Sequence, residues 1–165
     1  MSSAGPVRGG EVRGARPAGE LAPRRLPPAP RASSATARKV MQGNRSDSRL
    51  EQALRSELHR RGLRFRKHLA VLPGVRCRPD IVFTRDRVAV FVDGCFWHSC
   101  PLHGTSAKAN GEWWAAKLRG NVERDRRNDE ALQASGWRVV RLWGHEPLEA
   151  MADTVLSAIG RPSAD

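Results

Sequence analysis

Val88-Ala89-Val90-Phe91-Val92 is a continuous apolar run, the pattern of a strand buried on both faces. It leads directly into Asp93-Gly94-Cys95-Phe96-Trp97-His98-Ser99-Cys100-Pro101-Leu102-His103-Gly104. Thiols, imidazoles and a carboxylate alternate there with large aromatics, and Gly and Pro forbid regular structure, so the segment is expected to be a functional loop rather than core.

Working outward from that strand, Arg78-Pro79-Asp80-Ile81-Val82-Phe83 is expected to form its hairpin partner across the charged turn Thr84 to Arg87. Leu63-Arg64-Phe65-Arg66 alternates with period two and predicts a further strand, with Leu72-Pro73-Gly74 turning the chain. Upstream, Ser48 and Glu51 have the spacing of a capping box, and Leu50, Ala53, Leu54 and Leu58 share one apolar face, which predicts a helix ending near Gly62. Beyond the loop, Glu112 to about Ser135 predicts a charge-dense helix with a break near Gly120-Asn121, followed by a strand over Trp137 to Trp143 and a helix over Pro147 to Ile159. The element order implies an α/β sandwich in which Val88–Val92 and Val139–Leu142, joined by a helical crossover, are parallel neighbours.

Residues 1–35 read as a disordered basic tail, with six of the eleven prolines among Gly, Ala and Arg. Residues 1–45 carry nine Arg or Lys against two Glu, and so supply +7 of the chain's +12. A solvated tail or a true start at Met41 competes with a DNA-contacting arm, and the prolines argue against an organelle transit peptide. Such a basic chain is expected to meet a polyanion, nucleic acid by default. No apolar run approaches the ~20 residues of a membrane span, so a soluble cytoplasmic protein is expected. Three cysteines in a reducing compartment suggest metal rather than disulfides, with Cys77 inert.

Cys95, Cys100 and His103 have the spacing Cys-x4-Cys-x2-His, suited to one tetrahedral Zn²⁺, and His145 follows the last strand. Four such ligands would make a closed structural site, against the plainer alternative of a buried thiol pair and unrelated histidines. Asp80 and Asp93 are expected at one end of the sheet, within reach of a Mg²⁺ ion that would serve phosphodiester hydrolysis. His98 would suit a general base. Glu51 is explained equally well as a cap or as an acid supporting that site. Phe96-Trp97 and Trp113-Trp114 could wedge between base steps, and Lys117, Arg124, Arg126 and Arg127, with Arg119 nearby, could hold phosphates, although their interleaved acids also fit a solvated helix.

Thr36 to Met41, Ser48-Arg49-Leu50-Glu51, Arg78-Pro79-Asp80, Gly94-Cys95-Phe96-Trp97-His98, Glu112-Trp113-Trp114, Asn121 to Arg127 and Gly136-Trp137-Arg138-Val139 together resemble the very short patch repair (Vsr) endonucleases. The resemblance spans roughly residues 36–146. It implies a restriction-endonuclease-like three-layer sandwich of the PD-(D/E)xK superfamily, with a central mixed sheet flanked by helices, a zinc-stapled loop and an endonuclease domain over 36–160. It implies Mg²⁺-dependent nicking of the T-containing strand at T:G mismatches left by deamination of 5-methylcytosine, in bacteria with a companion cytosine methyltransferase. The enzyme would be a nucleoid-associated monomer working with a repair polymerase and mismatch-repair factors. Residue by residue, Asp80 resembles the Mg²⁺-binding aspartate, His98 the catalytic histidine and Glu51 the supporting acid. Phe96, Trp97 and Trp114 resemble intercalating aromatics, and Thr36 to Met41 an element that closes on DNA. Cys95, Cys100, His103 and His145 fall at the structural zinc. The best-known pattern has a His-rich run after the catalytic histidine, a Cys at the last ligand, and Thr-His where this chain has Val92-Asp93. The Asp93 carboxylate and the Val92 carbonyl are therefore expected as further Mg²⁺ ligands. The competing readings are a zinc-stapled mismatch-binding module that cuts nothing, and a nuclease of the same fold with another DNA specificity.

Overall fold

Helix α1 (Arg49–Arg60) starts on the capping box that the sequence announces. Ser48 Oγ accepts from the Glu51 N–H at 3.2 Å, and the Glu51 carboxylate accepts from the Ser48 N–H at 3.3 Å. Its apolar stripe buries Leu54 and Leu58 completely. The computed structural model describes residues 26–30, 48–104 and 109–161. Among these, α1 is followed by strands β1 (Ile81–Phe83) and β2 (Val88–Asp93), helix α2 (Gly111–Ala134), strand β3 (Arg138–Trp143) and helix α3 (Leu148–Ala158). The result is a mixed α/β fold.

The sheet has the order β1-β2-β3. β1 and β2 form the expected antiparallel hairpin, with Ile81 opposite Val90 and Phe83 opposite Val88. β2 and β3 run parallel, from Val88 opposite Arg138 to Asp93 opposite Trp143, with α2 as the crossover. Successive β2 side chains point to opposite faces, and both faces are covered. Val88 and Val90, with Val140 and Leu142, pack with Leu54, Leu58, Met151, Val155 and Leu156 of α1 and α3. Ala89 packs with Leu132 of α2 and Cys77, flanked by Phe91, Trp137 and Val139. This two-sided burial is why the run at Val88 has no polar alternation.

Three expectations are corrected. Leu63 to Arg66 is not a strand: Leu63 and Phe65 do point into the core, but the backbone makes only the isolated bridge Arg66 to Val82. The left-handed His68 (φ 49°) then carries the chain off the sheet. Helix α2 is continuous from Gly111 to Ala134, with no break at Gly120-Asn121. Gly120 costs the helix only about 1 kcal/mol relative to Ala, and the buried Asn121 is held by tertiary bonds described below. The strand expected from Arg78 begins at Ile81, since Pro79 has no N–H to give a ladder. Within the expected tail only 26–30 is described, and Met41 and Thr36 to Met41 lie outside the described residues. Among the described residues, no helix is long and apolar enough to cross a membrane.

Candidate catalytic centre and metal-binding loop

The hairpin brings the two expected carboxylates to one end of the sheet. Asp80, just before β1, accepts a hydrogen bond from the Val92 N–H at 2.8 Å, which ties it to the end of β2. Asp80 is largely buried, and burial pushes its carboxyl up to about 6. The Val92 N–H opposes that rise, Glu51 adds to it, His68 opposes it and Asp93 adds to it. The His68 imidazole stands 3.9 Å from the other Asp80 oxygen. Glu51 contributes an additional buried acceptor. Its Oε1 is used by the cap, whereas Oε2 makes no hydrogen bond and has Arg55 at 3.6 Å. Crowded, desolvated carboxylates with an unused oxygen are the donor set that a hard cation neutralises, so these residues fit Mg²⁺ chemically.

Asp93 closes β2 and is 4% exposed. Both of its oxygens are engaged, one 2.6 Å from Arg141 Nη1 and the other 3.3 Å from His98 Nδ1. His98 Nδ1 also lies 2.8 Å from Asp125 Oδ2. A carboxylate acceptor at Nδ1, with the Asp93 oxygen beside it, favours a proton on that nitrogen, so in the neutral ring Nε2 is the nitrogen that can accept one. Burial pushes the Asp125 carboxyl up, but bonds from His98 and Arg124 outweigh it and hold the group below its ordinary value. Arg141 spans two acids, binding Asp93 through Nη1 and Asp129 through Nε and Nη2 at 2.8 and 3.0 Å, with its guanidinium over the Phe91 ring. Burial lowers its pKa, and the bonds to Asp129 and Asp93 more than reverse that, so Arg141 is held charged.

Arg141, Asp125 and Asp129 are absent from the sequence expectation. Alternation of charge along β3 and α2 resembles a solvated face, and the contacts join residues 12 to 48 apart. One signal was available: Arg141 falls between Val140 and Leu142 in mid-strand, where a charge needs a partner.

The loop after β2 is folded by its own backbone. His98 N–H donates to Gly94 O at 3.1 Å, Cys100 N–H to Cys95 O at 2.9 Å and Gly104 N–H to Cys100 O at 2.7 Å. A Cβ on Gly104 would lie 2.6 Å from the Cys100 carbonyl oxygen, so only glycine fits that approach. The parallel register puts Gly144 against Asp93, with its N–H on the Asp93 carbonyl at 2.9 Å, and this delivers His145 to the loop as expected. The ligand atoms of Cys95, Cys100, His103 and His145 lie within 4.8 Å of one another. Cys95 Sγ and Cys100 Sγ stand 3.2 and 3.7 Å from His145 Nδ1, and Cys100 Sγ is 4.0 Å from His103 Nδ1. Thiolate and imidazole on one tetrahedral ion are roughly 3.6 Å apart. The cluster can hold a metal.

Phe96, Trp97, Trp113 and Trp114 form one ring cluster, with centroids 5.0 to 5.6 Å apart in tilted or edge-on pairs. Asn121 donates to the Trp97 carbonyl at 3.1 Å. Beside the cluster opens a cavity of about 630 Å³ lined by Phe96, Trp114, Leu118 and Val122 among others. The Trp113 indole donates to the Pro27 carbonyl at 3.0 Å, within the stretch expected to be tail. Of the expected phosphate contacts, Arg124 is bound to Asp125 and Asn121, and Arg126 pairs with Glu130 on an exposed face. Lys117 is half-buried and Arg127 exposed, both on α2.

Residues 32–103 match the family DNA mismatch endonuclease Vsr. The chain is 46% identical over 134 residues to the type II nicking enzyme V.NaeI of Lentzea aerocolonigenes, covering 80% of each chain. It is 46% identical over 109 residues to the type II nicking enzyme V.XorIIP of Xanthomonas oryzae pv. oryzae, 64% of this chain and 77% of the relative. It is 44% identical over 99 residues to the DNA mismatch endonuclease Vsr of Escherichia coli, 59% of this chain and 61% of the relative. These relatives cut DNA, which sets aside the module that only binds it. Identity of this extent over most of both chains shows that the protein belongs to the Vsr family of DNA mismatch endonucleases and is a DNA endonuclease.

Proposed function

We propose that this endonuclease nicks the T-containing strand of duplex DNA beside T:G mismatches by Mg²⁺-dependent hydrolysis. The observation that carries the reading is the joining, through one twelve-residue loop, of an acid and imidazole centre to a wedge-like ring cluster. Asp80 and the Val92 carbonyl would hold the ion, with Glu51 as the acid that supports a water bound to it. When bound, Mg²⁺ stabilises the charge that gathers on the pentavalent phosphate. His98 takes a proton from the attacking water at Nε2, and Asp125 retains the Nδ1 proton and keeps the ring aimed. Phe96, Trp97 and Trp114 insert beside the mismatch, while Lys117, Arg124, Arg126 and Arg127 meet backbone phosphates. Cys95, Cys100, His103 and His145 hold a structural Zn²⁺ that fixes the spacing between wedge and cut. Apolar packing on both sheet faces supports a restriction-endonuclease-like three-layer sandwich over 36–160, preceded by a basic tail over 1–35. The enzyme acts as a monomer in the bacterial cytoplasm and hands its nick to a repair polymerase.

Incubation with Mg²⁺ and paired duplexes, T:G against T:A, across a panel of flanking sequences tests this. A nick 5′ or 3′ of the mismatched T, dependent on both Mg²⁺ and mismatch, is expected. Equal nicking of the intact duplex would replace the reading with that of a nuclease of other specificity, which the type II nicking relatives favour as the second reading.

A further inference from the structure

Asp93 is expected from sequence to be a metal ligand, yet its surroundings are cationic. A carboxylate that ligates a hard cation must give an oxygen to it, and the cation repels a guanidinium from that oxygen. Here Arg141 Nη1 sits 2.6 Å from one Asp93 oxygen, and His98 Nδ1 sits 3.3 Å from the other. Asp93 is nearly inaccessible at 4% exposure, whereas the side chain of Asp80 is 22% exposed and keeps its Oδ1 clear of main-chain donors. Arg141 is in turn fixed by two bonds to Asp129 on α2, the helix that also carries Asp125. We infer that Arg141 and Asp93 form a positioning pair that aims His98, and that Asp93 does not ligate the catalytic metal.

This rests on the reading of Asp80 as metal ligand and His98 as base. The chain runs Asp129 to Arg141 to Asp93 to His98 to Asp125, beginning and ending on successive turns of α2. The imidazole is held between two acids, one from β2 and one from α2. Arg141 bridges β3 to both β2 and α2, which fixes Asp93 directly and, through Asp129, the helix that carries Asp125. The guanidinium suits the place because its planar fork gives Asp129 two parallel bonds and Asp93 a third, a geometry that an ammonium reproduces only in part. An amide at position 93 could offer its oxygen to only one of its two donors, so the ring would lose one of its two guides.

The test uses zinc-replete full-length protein and Mn²⁺ as the probe. Calorimetric Mn²⁺ affinity and single-turnover nicking, resolved into rate constant and half-saturating DNA, are measured for Asp80→Asn, Asp93→Asn, Arg141→Met and Arg141→Lys. Asp93→Asn and Arg141→Met are expected to keep Mn²⁺ affinity within about twofold and half-saturating DNA unchanged, while the rate constant falls about 10- to 100-fold. Arg141→Lys should recover part of the rate, and Asp93→Asn with Arg141→Met should lose less than the two single losses combined. Loss of Mn²⁺ binding in Asp93→Asn parallel to that in Asp80→Asn would make Asp93 a ligand and overturn the inference. Parental rates in Arg141→Met would do the same. Should Arg141→Met fail to fold, the near-isosteric Asp93→Asn and Arg141→Lys decide alone. Undiminished Mn²⁺ affinity in Asp80→Asn would instead refute the metal reading on which this stands.

Discussion

The buried side-chain amide of Asn121 donates to the main-chain carbonyl of Trp97 at 3.1 Å, and its own oxygen accepts from Arg124 Nη1 at 3.2 Å. Helix α2 therefore grips the aromatic loop at one backbone atom. Asn121→Ala leaves that carbonyl without its partner, at a cost of about 1 to 3 kcal/mol. The melting temperature should fall by several degrees, and preference for T:G over T:A duplexes should narrow in binding assays. Unchanged preference in a destabilised protein would show that the grip serves folding alone.

Burial raises Asp80 from 3.8 to about 6. Because the folded-state value lies above the unfolded one, the folded protein binds this proton more tightly. The group's contribution to stability is then full below about pH 4 and is lost as pH rises through 6, a change on the order of 3 kcal/mol. Metal-free Asp80→Asn should consequently melt above the parent at pH 7.5, with the gap closing near pH 4, and with Mg²⁺ supplied it should bind DNA while failing to nick. A variant that melts below the parent at pH 7.5 contradicts the strained, desolvated carboxylate described here.

Metal at the Cys/His cluster predicts a joint loss. Cys95→Ser, or a strong chelator, should lower bound zinc, melting temperature and nicking together, since ligand deletion removes folding free energy. Gly104→Ala should do the same more mildly, because its Cβ would press on the Cys100 carbonyl at 2.6 Å. Zinc content by mass spectrometry beside a thermal melt is sufficient, and a Cys95→Ser protein with full zinc and full activity would refute the site.

Trp97 is half-buried among rings, so its truncation leaves the main core intact. Trp97→Ala should weaken mismatch binding by about 1 to 3 kcal/mol, the usual worth of one aromatic stacked on a base, while the melt shifts by only a few degrees. Trp97→Phe should recover part of the affinity. Equal binding by all three proteins would remove Trp97 from the wedge.

Local patterns were legible in the sequence and long-range charge pairs were not. The run Val88 to Val92 announced a strand covered on both faces, and Ser48 with Glu51 announced the helix start, since each is decided within a few residues. His145 could be brought to the loop because parallel pairing follows from the crossover. Leu63 to Arg66 misled because inward-facing alternation does not require a ladder, and the turn at His68 is not encoded by glycine. Gly120 misled because propensity yields to tertiary bonds at Asn121. The partners of Asp93 and His98 stayed hidden because Arg141 and Asp125 acquire meaning only once β3 and α2 are docked.

Arg141, which holds Asp93, and His145, which completes the Cys/His cluster, both arrive with β3, 48 and 50 residues after their partners. During synthesis, at about 5 to 20 residues per second, there is an interval of roughly 2 to 9 s in which every acid of the hairpin and the imidazole have been made but remain unbraced. A nascent or truncated chain ending in α2 lacks both the Arg141 brace on Asp93 and the His145 member of the Cys/His cluster. The last described strand thus completes the acid and imidazole centre and the Cys/His cluster in a single step.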